Sequence, residues 1–470
     1  MQIPILSGIY SSKGVDLRTK YPRNLIPVAQ SNGISAGYLR PAEGISQFGT
    51  GLAVDRGVDR GGINWNGVCY RVMGDYLVSV GSDGVCTEIG SVGGTGQVTL
   101  DYSFDRLAIA SGGKLYYWNG STLTQVTDSD LGTVIDFVWI DGYFLTTDGA
   151  SLVVTELNDP TAVNPLKYGS SEVDPDNIVA VKKIRNELYA INRYTTEVFD
   201  NIGGDLFPFS RIEGAQLPKG ALGTHCVCNY LDRITFLGSG RNESPAVWSG
   251  ANGQVEKLST REIDTILATY TSSELEDAIL EARSIKGQDF LYIHLPNETL
   301  VYDNATSQLL EQSVWFTLTT SVYGNAMYQA RNFVYCYDKW IVGNPVATNT
   351  LGYMNETTSS HYDSLISWEF GTQIIYNEGR GAIFHELELV ALTGRYNLND
   401  APIVWTSYSL DGANWSQEKA CYPGARGNFN QRIMWLQQGT MRNFRIQKFR
   451  GTSDNYTSFL RLEARLEALN

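Results

Sequence analysis

DRLAIASGGKLYYWNG, residues 105–120, is the stretch whose reading decides the fold. Asp105 leads into the apolar run Leu107, Ala108, Ile109 and Ala110. The chain then turns at Gly112 and Gly113, and a second run ends in Tyr117 and Trp118 before Asn119 and Gly120. Two short β-runs about residues that tolerate positive φ make a hairpin. The same unit recurs along the chain. DYLVSVGSDGVCTEIG begins at Asp75, DGYFLTTDGASLVVTELN at Asp141 and NELYAINRYTTEVFDN at Asn186. DRITFLGSGRNESPAVWSG follows at Asp232, DFLYIHLPNETLVYDN at Asp289 and a weaker DKWIVGNPVATNTLGYMNE at Asp338. The anchors stand 30, 36, 45, 46, 57 and 49 residues apart, which brackets the about 40–50 residues of a four-stranded propeller blade.

A single four-stranded sheet cannot cover both of its faces, whereas sheets stacked around an axis cover one another and leave only short edges. Tyr117, Trp118, Phe199, Trp248 and Tyr302, late in their units, supply large apolar area where neighbouring blades meet. Asn297 is expected to turn with positive φ, as are Gly112 and Gly113. The fold class expected is all-β: a β-propeller of six to eight blades, seven preferred, over residues 63–360.

One interruption reads as helical. Ile263, Ile266, Leu267 and Tyr270 share one helical face. A second helix is expected to be capped by Ser273, boxed by Glu276, with Leu275, Ala278, Ile279 and Ala282 as its apolar stripe. This helical hairpin, residues 261–284, accounts for the spacing of 57 and, as an insertion, is expected to serve contacts. Residues 1–62 carry no unit and read as an N-terminal arm, lying on the propeller or reaching a neighbouring subunit. Residues 361–470 carry longer strands and read as a small antiparallel β-sandwich. In it Leu387, Leu389 and Ala391 alternate with Glu386, Glu388 and Val390, and IVWTSYSLDGANWSQE reads as a hairpin around Asp411 and Gly412. The run FLRLEARLEAL is open to a strand or a helix.

Charge excludes one large class of function. With 36 basic residues against 50 acidic, the formal net charge is −14. Gripping phosphates takes clustered Lys and Arg, and no cluster is present, so nucleic acid is expected only as something that slides past a non-adhesive surface. Cys69, Cys86, Cys226, Cys228, Cys336 and Cys421 form no CxxC pair and read as reduced thiols in or near the core. The opening MQIPILSGIYSSKG lacks a basic stretch followed by an apolar one, so no secretory signal is expected, and no run of 18 apolar residues suggests a membrane span.

No catalytic, cofactor-binding or metal-binding residue emerges. His225, His294, His361 and His385 lack metal-ligand spacing, and there is no GxSxG elbow, P-loop or GxGxxG between a strand and a helix. SLDGANW, residues 409–415, is close to the Asp-box turn of sialidases, yet a sialidase needs several boxes and an arginine cluster, so the turn reads as a folding device. EVDPDN, residues 172–177, lacks the EF-hand spacing that would hold calcium and reads as a turn.

The chain resembles the tail accessory, or packaged-DNA-stabilisation, proteins of podoviruses of the Salmonella-phage type, also called tail nozzle proteins. The resemblance runs through NLIP at residues 24–27, GYLRPAEGI at 37–45, LEDAILEARS at 275–284, IHLPNETLVYDNATS at 293–307, SLDGANWSQE at 409–418 and RIMWL at 432–436. It implies a non-enzymatic virion protein, assembled in the host bacterial cytoplasm, that forms a homo-hexameric ring in the tail. The ring would sit below the portal and head-to-tail adaptor, hold packaged DNA, line its ejection channel and meet a tail needle or plug and tailspikes or fibres. A receptor- or glycan-binding propeller at a tail tip is the alternative, with a propeller glycosidase behind it.

Overall fold

The computed structural model describes residues 1–13, 16–30, 35–157, 159–396, 402–452 and 457–469; Asn158 and Asn470, the last residues of the third unit and of the C-terminal stretch, lie outside them. Seven antiparallel sheets follow one another as blades 1 to 7: residues 59–91, 99–125, 136–170, 178–211, 220–257, 279–318 and 331–355. Six of the seven quoted hairpins supply the second and third strands of their blades, and the one from Asp75 supplies the third and fourth strands of blade 1, Tyr76–Val80 and Cys86–Ser91; Leu107–Ser111 and Lys114–Trp118, for example, pair at Ser111 and Lys114. The first strands, Asp59–Trp65, Thr99–Tyr102, Asp136–Ile140, Ile178–Ile184, Val227–Tyr230, Ile279–Ile285 and Arg331–Cys336, touch in a closed circuit in which the seventh meets the first. That circuit is the propeller axis.

The wedges between blades hold seven separate apolar cores. Tyr117 packs with Phe137 and Phe144 between blades 2 and 3, and Phe199 with Val138 and Leu145 between blades 3 and 4. Trp248 flanks the core between blades 4 and 5, and Tyr302 and Trp315 fill the one between 5 and 6. Two-residue turns with both residues at positive φ close the first hairpin of five blades: Asn66-Gly67, Asp141-Gly142, Leu231-Asp232, Lys286-Gly287 and Tyr337-Asp338. This is the turn whose twist matches that of the strands it joins.

Blade 7 has only three strands of its own. Its fourth is Gly44–Gln47, which runs antiparallel to Leu351–Asn355 with Gly44 opposite Asn355 and Gln47 opposite Gly352. The strands before it belong elsewhere. Leu25–Ala29 and Gly37–Pro41 pair with each other, and Leu39 meets Phe459 of the last long strand, which Gln2–Ile3 also joins. Residues 1–47 are therefore no arm: they are divided between the propeller and the C-terminal domain, and the expected boundary at 62 falls inside Asp59–Trp65.

The C-terminal domain is a sandwich. One sheet is built on Ala382–Ala391 and Phe459–Ala468, so the run open to two readings is a strand; the other is built on Val404–Ser409 and Phe444–Gly451. Leu387, Leu389, Phe370, Phe449 and Trp435 fill the space between them together with Ile3, Ile5, Leu25 and Leu39.

Three sequence expectations fail locally. The two helices are Arg261–Leu267 (α1) and Ser272–Glu276 (α2), and Ile279–Ile285, expected as helix, is the first strand of blade 6. Its apolar residues fit either period; pairing with Gln288–His294 across the Lys286-Gly287 turn decides for the strand. The capping box sits two residues earlier than expected, on Thr271 and Glu274, because TSSELE contains the pattern twice and this register buries Leu275. Asn297 does not take positive φ: Pro296 shapes a turn closed from Leu295 N–H to Glu298 O, 2.9 Å. The helices also serve the interior, for Ile263, Leu267 and Leu275 lie in the core between blades 5 and 6.

Candidate functional site

Two places could work on a partner: the propeller axis, and a cleft beside the sandwich. The axis poses a hydrogen-bonding problem, because each first strand has no strand beyond it and an unpaired inner amide is costly. Side chains reach across the blade junctions to meet this need. Asp101 accepts from the Trp139 amide at 2.7 Å, and Asp136 accepts from the Val181 amide at 3.0 Å, from Thr99 Oγ1 at 2.7 Å and from Lys182 Nζ at 3.0 Å. Lys183 Nζ donates to Trp139 O, and Asn229 Nδ2 to Lys183 O at 2.8 Å. Glu281 accepts from the amides of Asn332 and Phe333, both at 2.7 Å. Asn332 Nδ2 then donates to Asp59, 2.7 Å, and Asn64 Nδ2 to Tyr335 O, 2.9 Å. With neighbouring first strands having Cα atoms within 8 Å of each other around the circuit of seven, the ring is too narrow to pass a duplex.

Asp59 and Arg71 form the most buried ion pair of the girdle, 2.6 Å apart with both side chains almost wholly shielded. The carboxylate holds the Arg71 guanidinium above its ordinary value against the pull of desolvation. Burial lifts Asp101, with Lys183 opposing, and pushes His225 down to about 4, so that its imidazole is neutral near pH 7. Glu281 is held low despite burial, by His294 and the two amides.

At one end the axis opens into a cavity of about 740 Å³. Its walls come from blades 1, 2, 5, 6 and 7, mostly from loops ahead of their first strands, with Arg60, Gln97, His225, Asp277 and Arg331 among the lining side chains. Arg60 there is spent on the protein itself: it donates to the carbonyls of Gly74, Gly93 and Gly96 and to Ser111 Oγ.

The cleft beside the sandwich, about 620 Å³, lies between α1 and the turn around Asp411. Asp411 accepts from the amides of Ala413 and Asn414 at 2.9 and 2.7 Å, from Ser409 Oγ and from Asn414 Nδ2. The backbone bond from Asn414 leads in holding its carboxyl far below the usual range. Trp415 packs beside Ile9, Tyr10 and Ile446, under the Lys448 ammonium at 4.5 Å. The Asp box is thus a folding device, as its residues suggest.

The remaining sequence candidates are also built into the fold. His294 Nδ1 shares a hydrogen bond with Thr299 Oγ1 and its Nε2 lies 3.2 Å from Glu281. His361 Nδ1 shares one with Thr320 Oγ1 at 2.7 Å, and His385 meets Glu467 at the surface. In EVDPDN, Asp174 pairs with Arg241 at 2.6 Å and Asp176 accepts from the Tyr194 amide, a turn tied down by protein donors. All six cysteines are free thiols, and no group of three His, Cys, Asp or Glu suited to a metal occurs among the described residues. Sequence reasoning missed the girdle. Its only trace is a polar residue in the short strand ahead of each quoted hairpin, as with Asp101, Asp136, Asn229 and Glu281.

Comparison with known proteins finds two family models along the chain. Residues 1–359 match the family Phage_stabilise, described as bacteriophage P22 Gp10, beta-propeller. Residues 367–467 match the family described as bacteriophage P22 Gp10, beta-sandwich. The tail hub protein gp10 of Salmonella phage P22 is similar over 99% of both chains at 26% identity. Among solved structures, PorZ of the Porphyromonas gingivalis type-IX secretion system is similar at TM-score 0.41 and 13% identity, over 80% of this chain and 46% of PorZ. The N-terminal domain of Nup159 is similar at TM-score 0.42 and 8% identity, over 71% of this chain and 98% of that one. The chain thus spans less than half of PorZ, and these looser likenesses carry no weight for its role.

Proposed function

Since the chain belongs to the phage-stabilisation family described as bacteriophage P22 Gp10, a structural family of phage tail hubs and not of enzymes, we propose that it forms a homo-hexameric nozzle in the virion tail. In this reading the ring attaches below the portal and adaptor, retains the packaged genome and encloses the channel by which DNA leaves. The adaptor ring meets one face, and a needle or plug and tailspikes or fibres meet the others.

The observation that carries the reading is the match of the whole chain, in order, to both parts of Gp10. The geometry supports it in one respect. A propeller whose seven first strands close in so tight a ring passes no duplex along its axis, so in this reading the channel is enclosed between copies. A net charge of −14 suits walls that DNA passes without adhering.

Purified protein is expected to stay monomeric and to add six copies when mixed with the portal–adaptor complex, as read by native mass spectrometry. A complex that gains no mass removes the proposed role.

A further inference from the structure

At the axis, Arg331 carries a guanidinium to which no described residue makes a hydrogen bond or ion pair. It opens the first strand of blade 7 and lines two cavities at once, the axial one of about 740 Å³ and a side chamber of about 180 Å³ that also holds His294, Thr299 and Tyr328. Its Nε is shielded from solvent and has no acceptor, and among the described residues no hydrogen bond or ion pair is recorded for its guanidinium. The two carboxylates that act on it from a distance, Glu281 and Asp59, are already engaged. Glu281 is taken by two amides and His294, and Asp59 by both arms of Arg71 and by Asn332. Burial pulls the Arg331 guanidinium below its ordinary value, as expected of a desolvated cation without a contact partner.

We propose that the axial cavity is a binding site for a small carboxylate, held by the guanidinium of Arg331 at the junction of the two chambers. A planar fork of N–H donors matches a carboxylate edge to edge. A half-buried charge without a partner gains more from such a ligand than one already solvated. The rim narrows the choice of anion. Asp277 lines both cavities with Arg331, Glu276 lines the axial one, and both are exposed carboxylates. They disfavour a dianion such as phosphate and tolerate a single negative charge, more so if a positive group of the same ligand faces them. His225, neutral near pH 7, adds no charge to the wall.

The test uses the whole chain and does not depend on a variant that folds. Arginines are modified with phenylglyoxal at constant ionic strength in chloride, acetate, succinate or phosphate, and Arg331 is followed by peptide mass spectrometry. Acetate is expected to slow modification of Arg331 at least threefold relative to chloride, and the dianions succinate and phosphate to protect less, while exposed Arg185 is unchanged. Equal rates in all four salts overturn the site, and protection by phosphate alone overturns its assignment to a carboxylate. In parallel, Arg331→Gln, checked for folding by circular dichroism, is expected to lose the rise in melting temperature that acetate gives the parent protein. The same rise in the variant overturns the role of Arg331. None of these outcomes depends on assembly with an adaptor, so the site and the proposed nozzle stand or fall separately.

Discussion

At the scale of single residues, the molecule shows both strain and buried chemistry that can be measured. Leu231 sits in the left-handed region, at φ 52°, in the tight turn of blade 5, and is 45% exposed. A γ-branched side chain gains nothing there and costs about 1–2 kcal/mol against a residue at ease in that conformation. Leu231→Asn is therefore expected to stabilise the protein by about 1 kcal/mol, read as a higher urea midpoint at unchanged slope; a lower midpoint contradicts the strain. His361 is the opposite case. It is 1% exposed, and burial pushes its imidazole down to about 3 from 6.5. The unfolded chain then binds a proton that the folded chain refuses, so stability is whole above pH 6.5 and is lost as pH falls toward 3. His361→Gln is expected to flatten the urea midpoint against pH between about 6 and 4 relative to the parent. An unchanged slope would mean that His361 is protonated in the fold.

Among elements, the closing strand of blade 7 carries more than its length suggests. Gly44 lies so close to Thr358 and Ser360 that a Cβ would sit 2.6 Å from both carbonyl oxygens. Gly44→Val is expected to push Gly44–Gln47 off Leu351–Asn355 and to cost about 1–3 kcal/mol, by overpacking alone, in thermal melts; a melt identical to the parent's would show that the strand does not close the ring. This element was illegible in the sequence, because GISQ is too short to carry a period and its partner lies three hundred residues on. The middle strands were legible for the reverse reason. Leu107, Ile109, Leu115 and Tyr117 are buried between blades, and their apolar pattern is the fold's demand written locally. Outer strands fade because water meets them, as along Val163–Ser170, where Leu166 and Tyr168 are exposed. The inner strands were hidden by their polar duty at the axis, and the expected second helix by residues that suit two periods. Of the candidate site, only the absence of a recognisable catalytic motif was readable; Arg331 gains its meaning from Glu281 and Asp59, which come to it from other blades.

For the whole molecule, surface charge governs behaviour toward DNA. With a formal net charge of −14, retention of a duplex labelled with a fluorophore is expected to be undetectable at about 150 mM salt, with any Kd weaker than about 10⁻⁴ M by anisotropy; micromolar binding would mean that the passing-cargo picture is wrong. The division of the N-terminal strands between two domains has a consequence for synthesis. Leu25–Ala29 and Gly37–Pro41 leave the ribosome early and pair with each other, but Gly37–Pro41 meets Phe459–Ala468 and Gly44–Gln47 meets Leu351–Asn355 only when those strands have been translated. At bacterial elongation rates that wait is on the order of tens of seconds. A nascent or prematurely terminated chain can thus stack blades but cannot lock them, and only a polypeptide carried through to its last strands presents a finished subunit to a growing virion.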